Sequence, residues 1–116
     1  ALVRGTIMAA GAKTATGTGT ARQLGAVTAT QKLYATMHVL AVSGTNPTLD
    51  MVVQSDDAVG MASPTSRITF TQATTTRAQW ATPVSGAITD TWWRASYTIG
   101  GTGSPSFTVA LIIGIQ

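Results

Sequence analysis

Apolar residues recur at every second position through most of this chain. Residues 33–42 place Leu33, Ala35, Met37, Val39 and Ala41 on one side, and in residues 49–54 Leu49, Met51 and Val53 alternate with Asp50, Val52 and Gln54. Ile68 and Phe70 alternate with Arg67, Thr69 and Thr71, and Trp93, Ala95, Tyr97 and Ile99 alternate with Trp92, Arg94, Ser96 and Thr98. The last run, residues 107–115, aligns Phe107, Val109, Leu111, Ile113 and Ile115. A period of two is that of a strand with one buried face, because successive side chains leave a strand on opposite sides. The other side of residues 33–42 turns from Tyr34, Thr36 and His38 to Leu40 and Val42, which predicts cover on both faces at its far end. Weaker runs at 2–10 and 23–28 and a short run carrying Trp80 raise the predicted total to about eight strands. That number, regularly spaced, predicts an all-β fold, an antiparallel two-sheet β-sandwich of jelly-roll type.

Between the runs lie glycine, proline, serine and aspartate. Val42-Ser43-Gly44-Thr45-Asn46-Pro47-Thr48-Leu49 returns as Ile99-Gly100-Gly101-Thr102-Gly103-Ser104-Pro105-Ser106-Phe107. Gly tolerates positive φ and Pro pre-sets a bend, so each copy reads as a chain reversal at a matching corner of the sandwich. Residues 55–60 and 62–65 are further turn clusters. Residues 11–20, Gly-Ala-Lys-Thr-Ala-Thr-Gly-Thr-Gly-Thr, hold no large apolar side chain and read as a loop or loosely held edge, able to order against a neighbouring subunit. The chain therefore divides into an N-terminal strand and Gly/Thr-rich arm, residues 1–20, and a sandwich, residues 21–116, within one domain.

Composition sharpens this. At 116 residues the chain can bury a core, and with no cysteine it has neither disulfides nor thiolate metal ligands. Charged residues make up 9%, glutamate is absent and the lysines are only Lys13 and Lys32, which disfavours exposed helix. The net charge is +3, yet Arg4, Lys13, Arg22, Lys32, Arg67, Arg77 and Arg94 are scattered singly, which argues against a nucleic-acid partner. The longest apolar run, 107–115, is about half the length of a spanning helix, so no membrane role is expected. No signal peptide is visible at Ala1, and the missing initiator Met fits Met removal or a fragment of something longer.

The chemistry-bearing residues do not assemble into a reaction centre by spacing. His38 is the single histidine, in a strand, with no nucleophile placed to form a triad. Asp56 and Asp57 are adjacent in a turn without the spaced oxygen ladder calcium needs, and Asp50 and Asp90 nominate no glycosidase pair. Gly17-Thr18-Gly19 lacks the lysine and following helix of a phosphate loop. No catalytic, cofactor-binding or metal residue is expected. What stands out is Trp92 with Arg94 on the solvent side of one strand and Trp80 near a strand end, since tryptophan and arginine are enriched at binding hot spots and tryptophan stacks on sugars.

The strong strand, Ser43-Gly44-Thr45-Asn46-Pro47-Thr48-Leu49-Asp50, Gln54-Ser55-Asp56-Asp57, Arg67-Ile68-Thr69-Phe70-Thr71, Trp93-Arg94-Ala95-Ser96-Tyr97-Thr98 and Gly101-Thr102-Gly103-Ser104-Pro105-Ser106-Phe107 follow in an order that resembles small β-sandwich structural proteins of tailed bacteriophages and prophages. The likeness covers residues 24–113. It implies a virion part, a capsid decoration or head-associated protein or an accessory domain of a tail protein, and not an enzyme. The expected partners are the major capsid protein or other virion proteins and copies of the chain itself, on a particle assembled in the host cytoplasm. The expected contact residues are Trp92, Arg94 and Trp80, with Arg4 and Lys13 on the N-terminal segment. The rival expectation is a carbohydrate- or receptor-binding module in which Trp80 or Trp92 stacks on a glycan.

Overall fold

Residues 4–116, the residues that the structure, a computed structural model, describes, form seven strands in one antiparallel sheet. They are β1 (Arg4–Lys13), β2 (Gly17–Thr18), β3 (Lys32–Asp56), β4 (Thr65–Thr69), β5 (Arg77–Trp80), β6 (Val84–Ser85) and β7 (Trp92–Ile115). Leu2 and Val3, where the sequence starts the first strand, lie outside the described residues.

The sheet is built on a single long ribbon. β3 and β7 pair from Leu33 with Ile115 through to Asp56 with Trp92. Four of the runs read separately in the sequence are therefore two strands, and the Gly/Pro segments are not chain reversals. They face each other across the ribbon, with Ser43 opposite Ser106 and Thr45 opposite Thr102. Register slips between Ser43 and Thr45 and between Thr45 and Thr48 interrupt the ladder there. A 25-residue strand such as β3 would run about 80 Å if straight, whereas the longest dimension of the molecule is 44 Å. The ribbon folds over at these slips, and bulges are how a ladder turns a corner.

The corner explains the near-repeat. Gly44 has φ 106° and a Cβ there would sit 2.7 Å from the Pro105 Cα; Gly101 has φ 111° and a Cβ would sit 2.9 Å from the Pro47 Cα. Each copy's glycine lies against the other copy's proline, so both strands need the same Gly-and-Pro chemistry at one place.

Folding over gives the ribbon one inner face and two outer faces. Leu33, Met37, Leu111, Ile113 and Ile115 from one half and Leu49, Met51, Val53, Trp93 and Ala95 from the other share one core. The two halves are stitched at both edges. At one edge Gly19 closes onto the Met8 carbonyl and donates its N–H to Ala95 O at 2.9 Å. At the other, the Gln79 amide bonds both Thr71 N (3.0 Å) and Thr71 O (2.9 Å). The end opposite the corner is plugged by Val27 and Ile88, which pair with each other and are buried.

Four expectations change. The sequence counts strands by alternating runs, so it divides β3 and β7 in two and misses β2 and β6, which are two residues each. Of the weak run at 23–28, only Val27 forms a bridge. The Gly/Thr-rich arm is held within the chain, because β2 pairs with Tyr97 and Ser96 and the Thr16 hydroxyl accepts the Ile99 N–H. Leu40 is exposed and not covered, since the slip between Val39 and Ala41 leaves it unpaired and turned to solvent.

Candidate functional site: two outer faces of the folded ribbon

The first outer face belongs to the half of the ribbon in which Arg4 pairs with Ile115. Here register brings four strands side by side in the order β1, β7, β3, β5, and one cross-strand row reads Ile7, Ile112, Thr36, Trp80. Ile7 is 54% exposed, Ile112 43% and Trp80 80%. The row one step toward the chain ends reads Gly5, Gly114, Tyr34, and the row on the other side reads Ala10, Ala110, His38, Ala78. Trp80, Tyr34 and the two isoleucines wall a groove of about 740 Å³ whose floor is opened by Gly5 and Gly114. Among the described residues, none of the side chains lining it is charged.

Alternation alone would make this face polar, as Thr36 and His38 suggest. The apolar content arises because Ile7 and Ile112 occupy outward positions on strands whose inward positions are also apolar, which buries β7 on one side and leaves it apolar on the other. His38 sits among alanines, with Ala110 and Ala78 as its direct cross-strand neighbours, so no side chain directly opposite it can relay a proton.

The second outer face is different in kind. Trp92 lies opposite Asp56 and is half-buried, and Arg94 lies opposite Gln54, donating from Nε to Gln54 Oε1 at 3.0 Å. Asp50 accepts from the Gln72 amide at 3.1 Å. Asp56 accepts the backbone N–H groups of Asp57 (2.7 Å) and Ser63 (2.9 Å) and so closes the turn after β3. The Ser63 N–H is the chief reason its carboxyl is held below the usual carboxylate value, with the Asp57 N–H next and Arg94 a smaller contributor. Asp57 shifts the other way, raised by its hydrogen bond to the Asp56 side chain and by that side chain's charge.

At the rim of the core, Ser55 is fully buried and donates to Asp90 Oδ2 at 2.8 Å, while Arg67 donates to Ser55 Oγ at 2.8 Å and to Asp90 at 3.1 Å. Sequence reasoning missed this cluster, whose members are up to 35 positions apart. Arg67 is the extra residue of the slip between Val53 and Gln54, which aims its guanidinium at Ser55. With both hydroxyl and carboxylate engaged, the cluster ties β3, β4 and the chain ahead of β7 together.

The expected contact residues thus scatter. Trp80 stands on the apolar face; Trp92 and Arg94 stand on the polar one. Arg4 is turned into the molecule, where it donates to Ala26 O at 2.6 Å and packs beside Gly25. Lys13 lies with Nζ 5.6 Å from the Tyr97 ring centroid, within cation–π range. Both N-terminal cations are engaged with their own chain, which the sequence could not reveal because their partners are distant in it. Ile7 and Ile112 are not among the expected contacts; Ile112 lies opposite the Phe107–Ile115 face of its run and so reads as outward, whereas Ile7 sits in a run without alternation, and the slip between Ile7 and Ala9 turns it outward with no local sign. Among the described residues no group of three or more His, Cys, Asp or Glu could hold a metal ion.

Comparison with protein-family models finds no match to this chain, and comparison with curated protein sequences finds none either.

Proposed function

We propose that this chain is a non-enzymatic structural protein of a tailed-phage particle, a decoration or cement subunit that stabilises the head through subunit-bridging contacts. The observation that carries the reading is the uncharged apolar face around Ile7, Ile112 and Trp80. A contiguous exposed patch of this kind marks a contact surface, and exposed tryptophan is a characteristic anchor of one. The resemblance in order of motifs to phage structural proteins supports the particle as its setting. Low charge suits dense arrays, where many weak contacts sum by avidity. We read the folded-over sheet as a jelly-roll-like sandwich whose two layers are the halves of the ribbon, a shape that presents one outer face to a shell and the other to solvent.

The mechanism is adhesion: burying Trp80 and the isoleucine row against a partner releases apolar surface from water at each of many sites. The test is particle occupancy, measured by co-sedimentation of purified chain with heads that lack it. Trp80→Ala is expected to reduce occupancy by about tenfold or more, and the double variant Trp92→Ala, Arg94→Ala to reduce it less. Unchanged occupancy with Trp80→Ala would remove this face from the contact.

A second reading, a carbohydrate-binding module, is favoured by the neutral groove beside Trp80, which Tyr34 and Gln116 line together with an exposed indole. Quenching of tryptophan fluorescence by neutral oligosaccharides at millimolar concentration, abolished in Trp80→Ala, would support that reading over adhesion.

A further inference from the structure

We infer that the Trp80 face binds a second copy of this chain, as a two-fold dimer whose axis runs along the strands between β7 and β3. The inference rests on the reading of this face as a contact surface and names its occupant. Side-chain size is distributed unevenly across the face. The β3 and β5 side carries Tyr34, His38 and Trp80 beside Thr36 and Ala78, whereas the β1 and β7 side carries Gly5, Gly114, Ala10 and Ala110 around the central pair Ile7 and Ile112. A two-fold axis between these halves lays each row on itself in reverse. Tyr34 then meets Gly114 of the other copy, His38 meets Ala110, Thr36 meets Ile112, and Trp80 meets Ile7 beside the Gly5 gap. Each row sets at least one larger side chain against a smaller one, Tyr34 on Gly114, His38 on Ala110 and Trp80 on Ile7, while Ala10 meets Ala78 at the flank; an isologous interface requires self-complementarity of this kind.

Charge and area agree. Among the described residues no charged side chain lines the groove, so stacking the face on itself opposes no like-charged side chains there. Four strands about 4.8 Å apart, over the three rows and their flanks, give roughly 400–500 Å² per copy and about 800–1,000 Å² in total, the size of a weak, reversible interface. A dimer of micromolar affinity is the expectation for that size.

Sedimentation velocity of the full 116-residue chain from about 1 to 500 μM reads the outcome directly. The wild type is expected to shift from monomer to dimer across this range. Trp80→Ala, at a side chain too exposed to matter for folding, should raise the dissociation constant by about tenfold or more. Ile112→Glu and Thr36→Lys should each be monomeric at concentrations where the wild type pairs. An equimolar mixture of the two should recover dimer, because the carboxylate introduced on one copy then faces the ammonium introduced on the other. Circular dichroism of each variant establishes that it folds; if either charged variant does not, Trp80→Ala carries the test. A wild type that stays monomeric throughout overturns the proposal. Dimers indifferent to Trp80→Ala overturn the face, and dimers not restored by the mixture overturn the axis. A monomeric wild type whose particle occupancy still falls with Trp80→Ala would leave the contact face standing with a shell protein as its occupant, whereas a dimer without any particle binding would do the reverse.

Discussion

The two outer faces of the folded ribbon are made from the same two strands, yet one is apolar and open and the other polar and tied to itself. On the face around the Arg4–Ile115 pair, Ile7, Ile112 and Trp80 stand exposed. On the face beyond the corner, Arg94 is engaged by Gln54, Asp50 by Gln72 and Asp56 by two backbone N–H groups. A polar surface that satisfies its own groups gains little from a partner, because each bond made outward replaces one made to water or inward. An apolar surface loses nothing but water on contact. The contrast therefore favours binding at the Trp80 face, although arginine and tryptophan on the other looked equally suited to it from sequence alone.

The corner is what allows one ribbon to present two such faces, so its glycines offer the strongest way to break the contrast. Gly44→Ala or Gly101→Ala places a Cβ within 3 Å of the opposing strand at a positive φ and should cost about 2–3 kcal/mol, read as a lower urea midpoint. Next comes the pin behind the polar face. Arg67→Ala leaves the buried Ser55 oxygen without a donor and half-buried Asp90 with the Ser55 hydroxyl but no cation, and should cost about 1–3 kcal/mol in the same measurement. Arg94→Ala, which severs a surface contact only, should cost at most about 1 kcal/mol and leave self-association unchanged.

Ile112→Thr sharpens the contrast from the other side. Measured at concentrations where the chain is monomeric, it should change stability by less than about 0.5 kcal/mol, because the side chain faces solvent; under the dimer conditions it should weaken pairing. The smallest effect concerns acid. Asp56's carboxyl is lowered in the fold, so its contribution is full above the ordinary carboxylate value and fades as pH falls through its own depressed value. Asp57, raised, works in the opposite sense. The Ser63 amide resonance should move in an NMR titration as Asp56 protonates, and Asp56→Asn should abolish that movement while the Trp80 face is unaffected.

The alternating runs were enough to place the core. Leu33, Met37, Met51, Trp93, Leu111 and Ile113 all point inward as their spacing requires, since a period of two assigns each residue to a face wherever a strand is regular. The same rule failed at irregularities. It could not tell that Leu40 is a bulge, or that the two Gly/Pro segments meet each other instead of reversing the chain, because pairing partners are set by distant residues and leave no local trace. Trp80 was visible as a candidate from its type and position, but its neighbours Ile7 and Ile112 lie 73 and 32 positions away and join it only through register. Composition and periodicity by themselves determined an antiparallel, helix-poor fold and which side chains fill it, because those depend on nearest neighbours along the chain. Only the tertiary structure decided where the ribbon folds, which cations are engaged with their own chain, and which of two outer faces stays apolar, because these depend on contacts between residues far apart in sequence.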